Sequence, residues 1–160
     1  MTGESTTEAQ MPQPDPALRR LDFLVGRWSA RGRFVGSDED EIGGEVGLDW
    51  LPGGFFLRQH AQLDFAGLYK VDALELIGYD PASDRFKSLA YSNMSPEPQP
   101  YEWDVREGTM TIRVSHGPLD ATFHGRVSED GRSYTGSWRP NPGADETVNP
   151  PYDLTGTKIG

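Results

Sequence analysis

The stretch LDFLVGRWSARGRF, residues 21–34, decides the fold. Its first half is apolar and has helical spacing, and Gly26 follows it. After Gly26, apolar or small residues alternate with arginine and serine, at Trp28, Ala30, Gly32 and Phe34. A period of two is typical of a strand that buries one face. The stretch therefore predicts a short helix that ends at Gly26 and leads directly into a strand, with Trp28 facing a core.

The helix begins before the quoted stretch, in DPALRRLDFLVG. Asp15 is a suitable N-cap, Pro16 fits the first turn, and Gly26 fits the end. An apolar stripe runs along one face, formed by Leu18, Leu21, Leu24 and Val25. We expect this stripe to pack over one end of the folded domain.

The rest of the chain alternates in the same way, in short segments such as EVGLDWL, FFLRQHAQL, TMTIRVS and ATFHGRV. Turn sequences rich in Gly, Pro, Asp and Asn separate these segments. We predict an all-β fold, an antiparallel up-and-down β-barrel of about nine or ten strands with one short N-terminal capping helix. A two-sheet sandwich stays open, because periodicity alone fits both.

Composition limits the domain count and the function classes. Residues 1–15 are polar and rich in proline, and we expect a disordered tail there, with residues 16–160 forming one barrel domain. The chain has no cysteine, which excludes disulfides, thiol catalysis and Cys-ligated metals. A net charge of −10 argues against nucleic acid as a partner. No segment has the character of a membrane span or a secretory signal, so we expect no membrane partner and a cytoplasmic location.

Several segments together resemble a known group of proteins. LDFLVGRW resembles the helix and Gly-x-Trp start of calycin-type barrels, the lipocalins and their relatives. With LDWLPGGFFLRQHAQ, ELIGYDPASDRFKSLAYSN and FHGRVSEDGRSYTGSW, it is similar to DUF1579, a group of lipocalin-like bacterial proteins of largely unassigned function. The resemblance implies a barrel with an internal cavity. It carries over no catalytic residue.

A more distant resemblance is to nitrobindin, a haem-binding barrel. GRWSARG is similar to its Gly-x-Trp-x-Gly-x-Gly start, with Ala30 in place of the middle glycine. Nitrobindins ligate iron through a histidine near the C-terminus, whereas the last histidine here is His124. Haem binding therefore ranks last among the functions considered, and we expect no cofactor.

Metal binding and motif-based catalysis find little support. The three histidines, His60, His116 and His124, lack the spacing that places two ligands on one helix or strand, so we expect no metal site. There is no Gly-x-Ser-x-Gly elbow and no phosphate-binding glycine loop followed by a helix. The catalytic residues of any reaction stay unassigned.

Aromatic side chains recur through nearly every strand. Filling the barrel interior explains most of them, but Tyr and Trp also carry polar groups that need partners when buried. An apolar pocket with a few polar groups is the usual form of a small-molecule site. The predicted ligand-binding residues are Trp28, Trp50, Phe56, Arg58, His60, Tyr79, Tyr91, Trp103, His124 and Trp138. On the strand after residue 54, either Phe55 and Leu57 face inward, or Phe56, Arg58 and His60 do.

Four functions are considered, the first of them preferred. The first is binding of a small, mostly apolar molecule inside the barrel. The second is an enzyme that cyclises or isomerises a small organic substrate by confining it. Haem binding is third, and a purely structural domain that serves as an oligomer building block is fourth. A homodimer is left open.

Overall fold

The structure, a computed structural model, describes residues 11–160 and contains one 3₁₀ helix, Pro16–Leu24, followed by ten strands. The first ten residues of the predicted tail lie outside the described residues. The strands are β1 (Gly26–Phe34), β2 (Ile42–Trp50), β3 (Leu57–Phe65), β4 (Tyr69–Asp80), β5 (Arg85–Ser92), β6 (Gln99–Arg106), β7 (Thr109–His116), β8 (Leu119–Val127), β9 (Ser133–Pro140) and β10 (Tyr152–Lys158).

Every strand pairs antiparallel with its neighbours along the chain, and β1 closes the sheet by pairing with β10. Trp28 shows the closure, since it lies opposite Val46 of β2 on one side and Lys158 of β10 on the other. The predicted up-and-down barrel is therefore confirmed. A sandwich is not formed, because all ten strands belong to one closed sheet.

The capping helix begins and ends where the sequence predicts. The Asp15 side chain accepts a hydrogen bond from the Ala17 amide at 2.9 Å, and Pro16 opens the helix. Gly26 has a φ of 132°, and a Cβ there would lie 2.7 Å from the Gly160 carbonyl oxygen, so the helix-to-strand junction requires glycine. The predicted stripe is buried at Leu18, Leu21 and Leu24.

Trp28 joins the helix to the barrel. Its side chain is 1% exposed, and its indole N–H donates to the Leu24 carbonyl at 2.8 Å. The burial of a large ring with its only polar group paired stabilises this junction. Trp28 thus faces the core, as the sequence predicts, and it lies at the helix end of the barrel interior.

The opposite end of the barrel carries an aromatic cluster, formed by Phe34, Phe65, Tyr69 and Tyr152. The Phe65 and Tyr69 rings stack with centroids 5.0 Å apart, and Tyr152 meets Phe65 edge-on at 5.3 Å. These residues begin or end strands whose other ends lie at the capping helix. The interior is thus bounded by the helix at one end and by this cluster at the other.

Arginines of β1 face outward, as the alternation predicts. Arg27 pairs with Glu45 at 2.7 Å and Arg33 with Asp40 at 2.9 Å. Exposed pairs of this kind contribute little to stability. Within residues 11–160, no helix is both long enough and apolar enough to cross a membrane.

Candidate functional site: a cavity in the barrel interior

A cavity of about 190 Å³ lies inside the barrel, between the capping helix and the aromatic cluster. Strand alternation builds its wall, because each strand directs every second side chain inward. Aliphatic residues such as Leu24, Val46 and Leu63 form part of the lining. Aromatic residues form much of the rest, namely Trp28, Tyr101, Trp103, Phe123, Tyr134, Trp138 and Tyr152.

Glu75 of β4 is the acidic residue of this wall, and its side chain is 7% exposed. One carboxylate oxygen, Oε2, accepts from the Ser88 hydroxyl at 2.6 Å and from the Trp103 indole N–H at 3.0 Å. The other, Oε1, accepts from the Gln59 amide at 3.2 Å. Glu75 therefore connects β4 to β3, β5 and β6 through a hydrogen-bonded network.

Burial raises the pKa of the Glu75 carboxyl, and the hydrogen bonds from Ser88 and Trp103 oppose that rise. Removing a carboxylate from water disfavours its charged form, and neutral donors compensate only part of this cost. Glu75 is thus a buried carboxyl with a raised pKa in the cavity wall.

Three tyrosines add hydroxyl groups to the same wall, Tyr101, Tyr134 and Tyr152. Burial raises the pKa of Tyr134 to about 12, and it also raises the pKa values of Tyr101 and Tyr152. Within residues 11–160, none of the three hydroxyls makes a hydrogen bond. They are neutral at physiological pH and free to bond a bound molecule or water.

Glycines on the inner face make room for the rings. A Cβ at Gly156 would lie 2.2 Å from Cε2 of Tyr134, so this ring lies directly over the glycine backbone. At Gly136 a Cβ would lie 2.3 Å from Cζ of Phe123. The glycines of β9 and β10 therefore set how closely the aromatic wall approaches the sheet.

The structure brings three of the ten predicted site residues to the cavity: Trp28, Trp103 and Trp138. Two others, Trp50 and Tyr79, hold the capping helix. The Trp50 indole N–H donates to Asp22 at 3.1 Å. The Tyr79 hydroxyl donates at 2.7 Å to Asp84, which also binds Arg20 of the helix.

The other five predicted residues lie on the outer face. Phe56 and Tyr91 are 47% and 51% exposed, and His124 is exposed on β8. Arg58 pairs with Asp49 at 2.6 Å and His60 with Asp72 at 2.7 Å. Leu57 is fully buried, so β3 has Leu57 facing inward and Arg58 and His60 facing outward. Phe55, which the sequence groups with Leu57, lies before β3 and is 36% exposed. Whether any of the ten residues contacts a ligand stays a prediction.

Arg58, His60 and Tyr91 share a groove on the outer surface, with a volume of about 810 Å³. The groove is wide and open to solvent, and its charged groups already form the pairs Arg58–Asp49 and His60–Asp72. A ligand there would stay largely hydrated. The interior cavity is the better candidate, because it is more enclosed than the groove and therefore removes more water from a ligand.

The interior does not suit haem. All three histidines lie outside it: His60 and His124 face outward from their strands, and His116 lies 3.6 Å from Glu97 on the surface. The cavity volume of about 190 Å³ is also below the range of roughly 300–1,000 Å³ that larger ligands occupy. Across residues 11–160, no group of three or more His, Asp or Glu side chains is placed to hold a metal ion.

Sequence reasoning missed Glu75, Gln59 and Tyr152. Glu75 lies in DALELIGYD, where apolar residues occupy both alternating faces. The available signal was a glutamate in register with Ala73 and Ile77, since a charged residue within an apolar set is uncommon.

Fold and cavity together define the class: a small closed antiparallel barrel with an aromatic-lined interior. The chain belongs to the DUF1579 family, described as a protein of unknown function, whose family model matches residues 13–126, from just before the capping helix into β8. Among solved structures, it is similar to Rv2717c from M. tuberculosis, with a TM-score of 0.47 and 15% identity over 92% of this chain and 100% of that chain. No curated protein matches the chain significantly.

Proposed function

We propose that this protein binds a small, mostly apolar molecule in its barrel interior. The observation that carries the proposal is the cavity wall, where apolar and aromatic side chains surround one hydrogen-bonded carboxyl and three tyrosine hydroxyls without partners among residues 11–160. An apolar pocket with a few convergent polar groups is the usual form of a ligand site.

The size of the cavity limits the ligand. A dry protein cavity of about 150 Å³ accommodates benzene. At about 190 Å³, this one accommodates a single ring with one or two further heavy atoms, or an aliphatic molecule of similar size. Long-chain lipids and multi-ring cofactors are too large unless the barrel rearranges.

The proposal also covers partners and location. The partner is a small molecule, with no nucleic acid or membrane involved, and the location is the cytoplasm. The net charge of −10 supports the exclusion of nucleic acid, because it disfavours a phosphate backbone. A homodimer stays open.

The test is a thermal-shift screen of single-ring compounds, followed by titration of tryptophan fluorescence. Binding to the folded state raises Tm by mass action, and a concentration about a hundredfold above Kd adds roughly 2.7 kcal/mol. Trp28, Trp103 and Trp138 line the cavity, so a ligand there should quench their emission. If no compound class shifts Tm, the proposal fails.

Two neighbouring residues of β3 supply the matched control. Ala61 lines the cavity, whereas His60 lies on the outer face. Ala61→Leu should reduce the ligand-induced shift in Tm by filling the cavity, and His60→Leu should leave it unchanged. The reverse result would place the ligand in the outer groove.

A second candidate function is an enzyme that cyclises or isomerises a confined substrate. The favouring observation is Glu75 itself, since burial raises its pKa toward the range of a general acid. Confinement and orientation would supply much of the rate. With a substrate in hand, loss of turnover in Glu75→Gln with retained affinity would support this function, and unchanged turnover would reject Glu75 as the acid.

A further inference from the structure

We propose that the ligand is a small organic amine, bound in its protonated form with Glu75 as its counter-charge and the aromatic wall around it. This inference rests on the proposed function, because it specifies the chemistry of the molecule that the cavity holds.

The charge of the wall selects a cation. Among the residues that line the cavity there is a carboxyl, and there is no Lys, Arg or His. Lys158, near the helix end, is engaged with the Phe23 carbonyl at 2.6 Å. An anionic ligand would therefore lie beside Glu75 with no positive group to compensate it, which a desolvated site tolerates poorly. An ammonium group would instead neutralise the carboxylate.

The hydrogen bonds of Glu75 leave room for a further donor. A carboxylate offers about four acceptor positions. Oε2 uses two of them for Ser88 and Trp103, and Oε1 uses one for Gln59. The position that remains is on Oε1, and an N⁺–H donor there forms a charge-assisted bond, about twice as strong as a neutral one.

The aromatic wall suits the rest of such a molecule. Trp and Tyr rings attract cations over their faces, Trp most strongly. Trp103 is fixed by its hydrogen bond to Glu75, and Trp138 meets Tyr101 edge-on with centroids 6.4 Å apart. The rings therefore hold the apolar body of the ligand and stabilise its charge as well.

Binding of the amine changes the protonation of Glu75 but not that of the ligand. Burial raises the pKa of Glu75, and a bound ammonium favours its carboxylate form. Binding of R–NH₃⁺ gives the pair Glu–COO⁻·R–NH₃⁺, and any Glu75 that was protonated before binding releases its proton to solvent. The other titratable groups of the wall, Tyr101, Tyr134 and Tyr152, have raised pKa values and stay neutral throughout.

A structural role is the competing explanation, because Glu75 links β3, β4, β5 and β6. Glu75→Gln separates the two, since glutamine has the same shape and its carbonyl can still accept from Ser88 and Trp103. The variant retains most of the network and removes the charge. Glu129→Gln is the matched control, because Glu129 lies exposed in the turn between β8 and β9.

The experiment compares benzylamine, benzyl alcohol and benzoate by calorimetric titration of the wild-type protein, Glu75→Gln and Glu129→Gln at one pH. We expect wild-type protein and Glu129→Gln to bind benzylamine at least about tenfold more tightly than benzyl alcohol, and benzoate most weakly. In Glu75→Gln the affinity for benzylamine should fall about tenfold or more, and that for benzyl alcohol should change little.

Equal or tighter binding of benzyl alcohol by the wild-type protein overturns the inference and leaves the proposed function intact. If none of the three compounds binds, the inference is also overturned, and the wider screen with Ala61→Leu decides the proposed function separately. Should Glu75→Gln not fold, wild-type titrations in buffers of different ionisation enthalpy still test it. Across a pH series, proton release with benzylamine should exceed that with benzyl alcohol, and equal release at every pH would contradict the inference.

Discussion

Glu75 lies in the barrel wall with donors from three other strands on its oxygens. The pairing keeps a buried polar group satisfied, yet burial still raises its pKa. A group whose folded-state pKa exceeds its unfolded value of about 4.3 supports stability below that value. That support is lost as pH rises through the folded-state pKa.

The first prediction follows for the protein without ligand. Relative to wild type, Glu75→Gln should gain stability as pH rises from 4 to 9, because glutamine does not ionise. Melting temperatures across this range, followed by circular dichroism, measure the difference. Glu129→Gln should track wild type throughout. If the Tm of the wild-type protein instead rose relative to that of Glu75→Gln as pH increases, the carboxylate would be the favoured buried form.

The second prediction concerns Gly156, over which the Tyr134 ring lies. Gly156→Ala should lower the free energy of unfolding by about 1–3 kcal/mol, because the added methyl overpacks the wall. Tm then falls by roughly 2–4 °C for each kcal/mol. Gly47→Ala is the control, since a Cβ at Gly47 would meet no atom within 4 Å. Equal melting of the two variants would mean that Tyr134 moves aside without cost.

How well the sequence predicts a side chain's direction depends on the strand. In β1 only one face is apolar, so Trp28 is assigned inward correctly. In FFLRQHAQL and DALELIGYD both faces carry apolar residues, and the sequence leaves their parity open. Leu57 and Glu75 face inward because cross-strand register fixes the whole sheet, and that register is a property of the barrel rather than of one strand.

At the scale of elements, the capping helix is held by a side-chain cluster around Asp84. This carboxylate accepts from Arg20 of the helix at 2.7 Å, from the Tyr79 hydroxyl at 2.7 Å and from Arg106 at 2.9 Å. The hydrogen bonds from Tyr79, Arg106 and Arg20 hold the pKa of Asp84 well below its ordinary range. The helix is thereby attached to the turn after β4 and to the end of β6.

The third prediction is that Asp84→Asn lowers Tm at neutral pH and reduces the fall in Tm that the wild-type protein shows at acidic pH. A depressed carboxyl pKa supports stability above the unfolded value of about 3.9, and that support is lost as pH falls toward the folded-state value. Wild type should therefore lose its advantage over Asp84→Asn below about pH 4. Asp40→Asn, which removes the exposed pair with Arg33 at the other end, should change Tm less. If Asp84→Asn and Asp40→Asn lower Tm equally at neutral pH, Asp84 does not anchor the helix.

The helix also shows what local sequence does and does not specify. Asp15, Pro16 and Gly26 mark its limits, and the buried leucines mark its inner face. Its 3₁₀ geometry was not predicted, since capping residues are shared with α-helices. The Leu18 amide donates to the Asp15 carbonyl, three residues back, at 3.0 Å.

At the scale of the whole molecule, closure of the sheet creates the site. Local alternation predicts the strands and their meander, and closure adds the pairing of β1 with β10. The cavity wall draws residues from the helix and nearly every strand, so its volume and its polar centre follow only from the assembled barrel. This is why the sequence identified the aromatic set but did not single out Glu75.

The fourth prediction tests the central claim, that the interior cavity binds small apolar molecules. Crystals of the protein are soaked with bromobenzene, and the bromine is located by anomalous diffraction. We predict a bromine peak inside the barrel, among Trp103, Phe123 and Trp138, and its loss in Ala61→Leu. A peak confined to the outer groove near Arg58 and Tyr91, or an empty interior in crystals that bind bromobenzene elsewhere, would contradict the account.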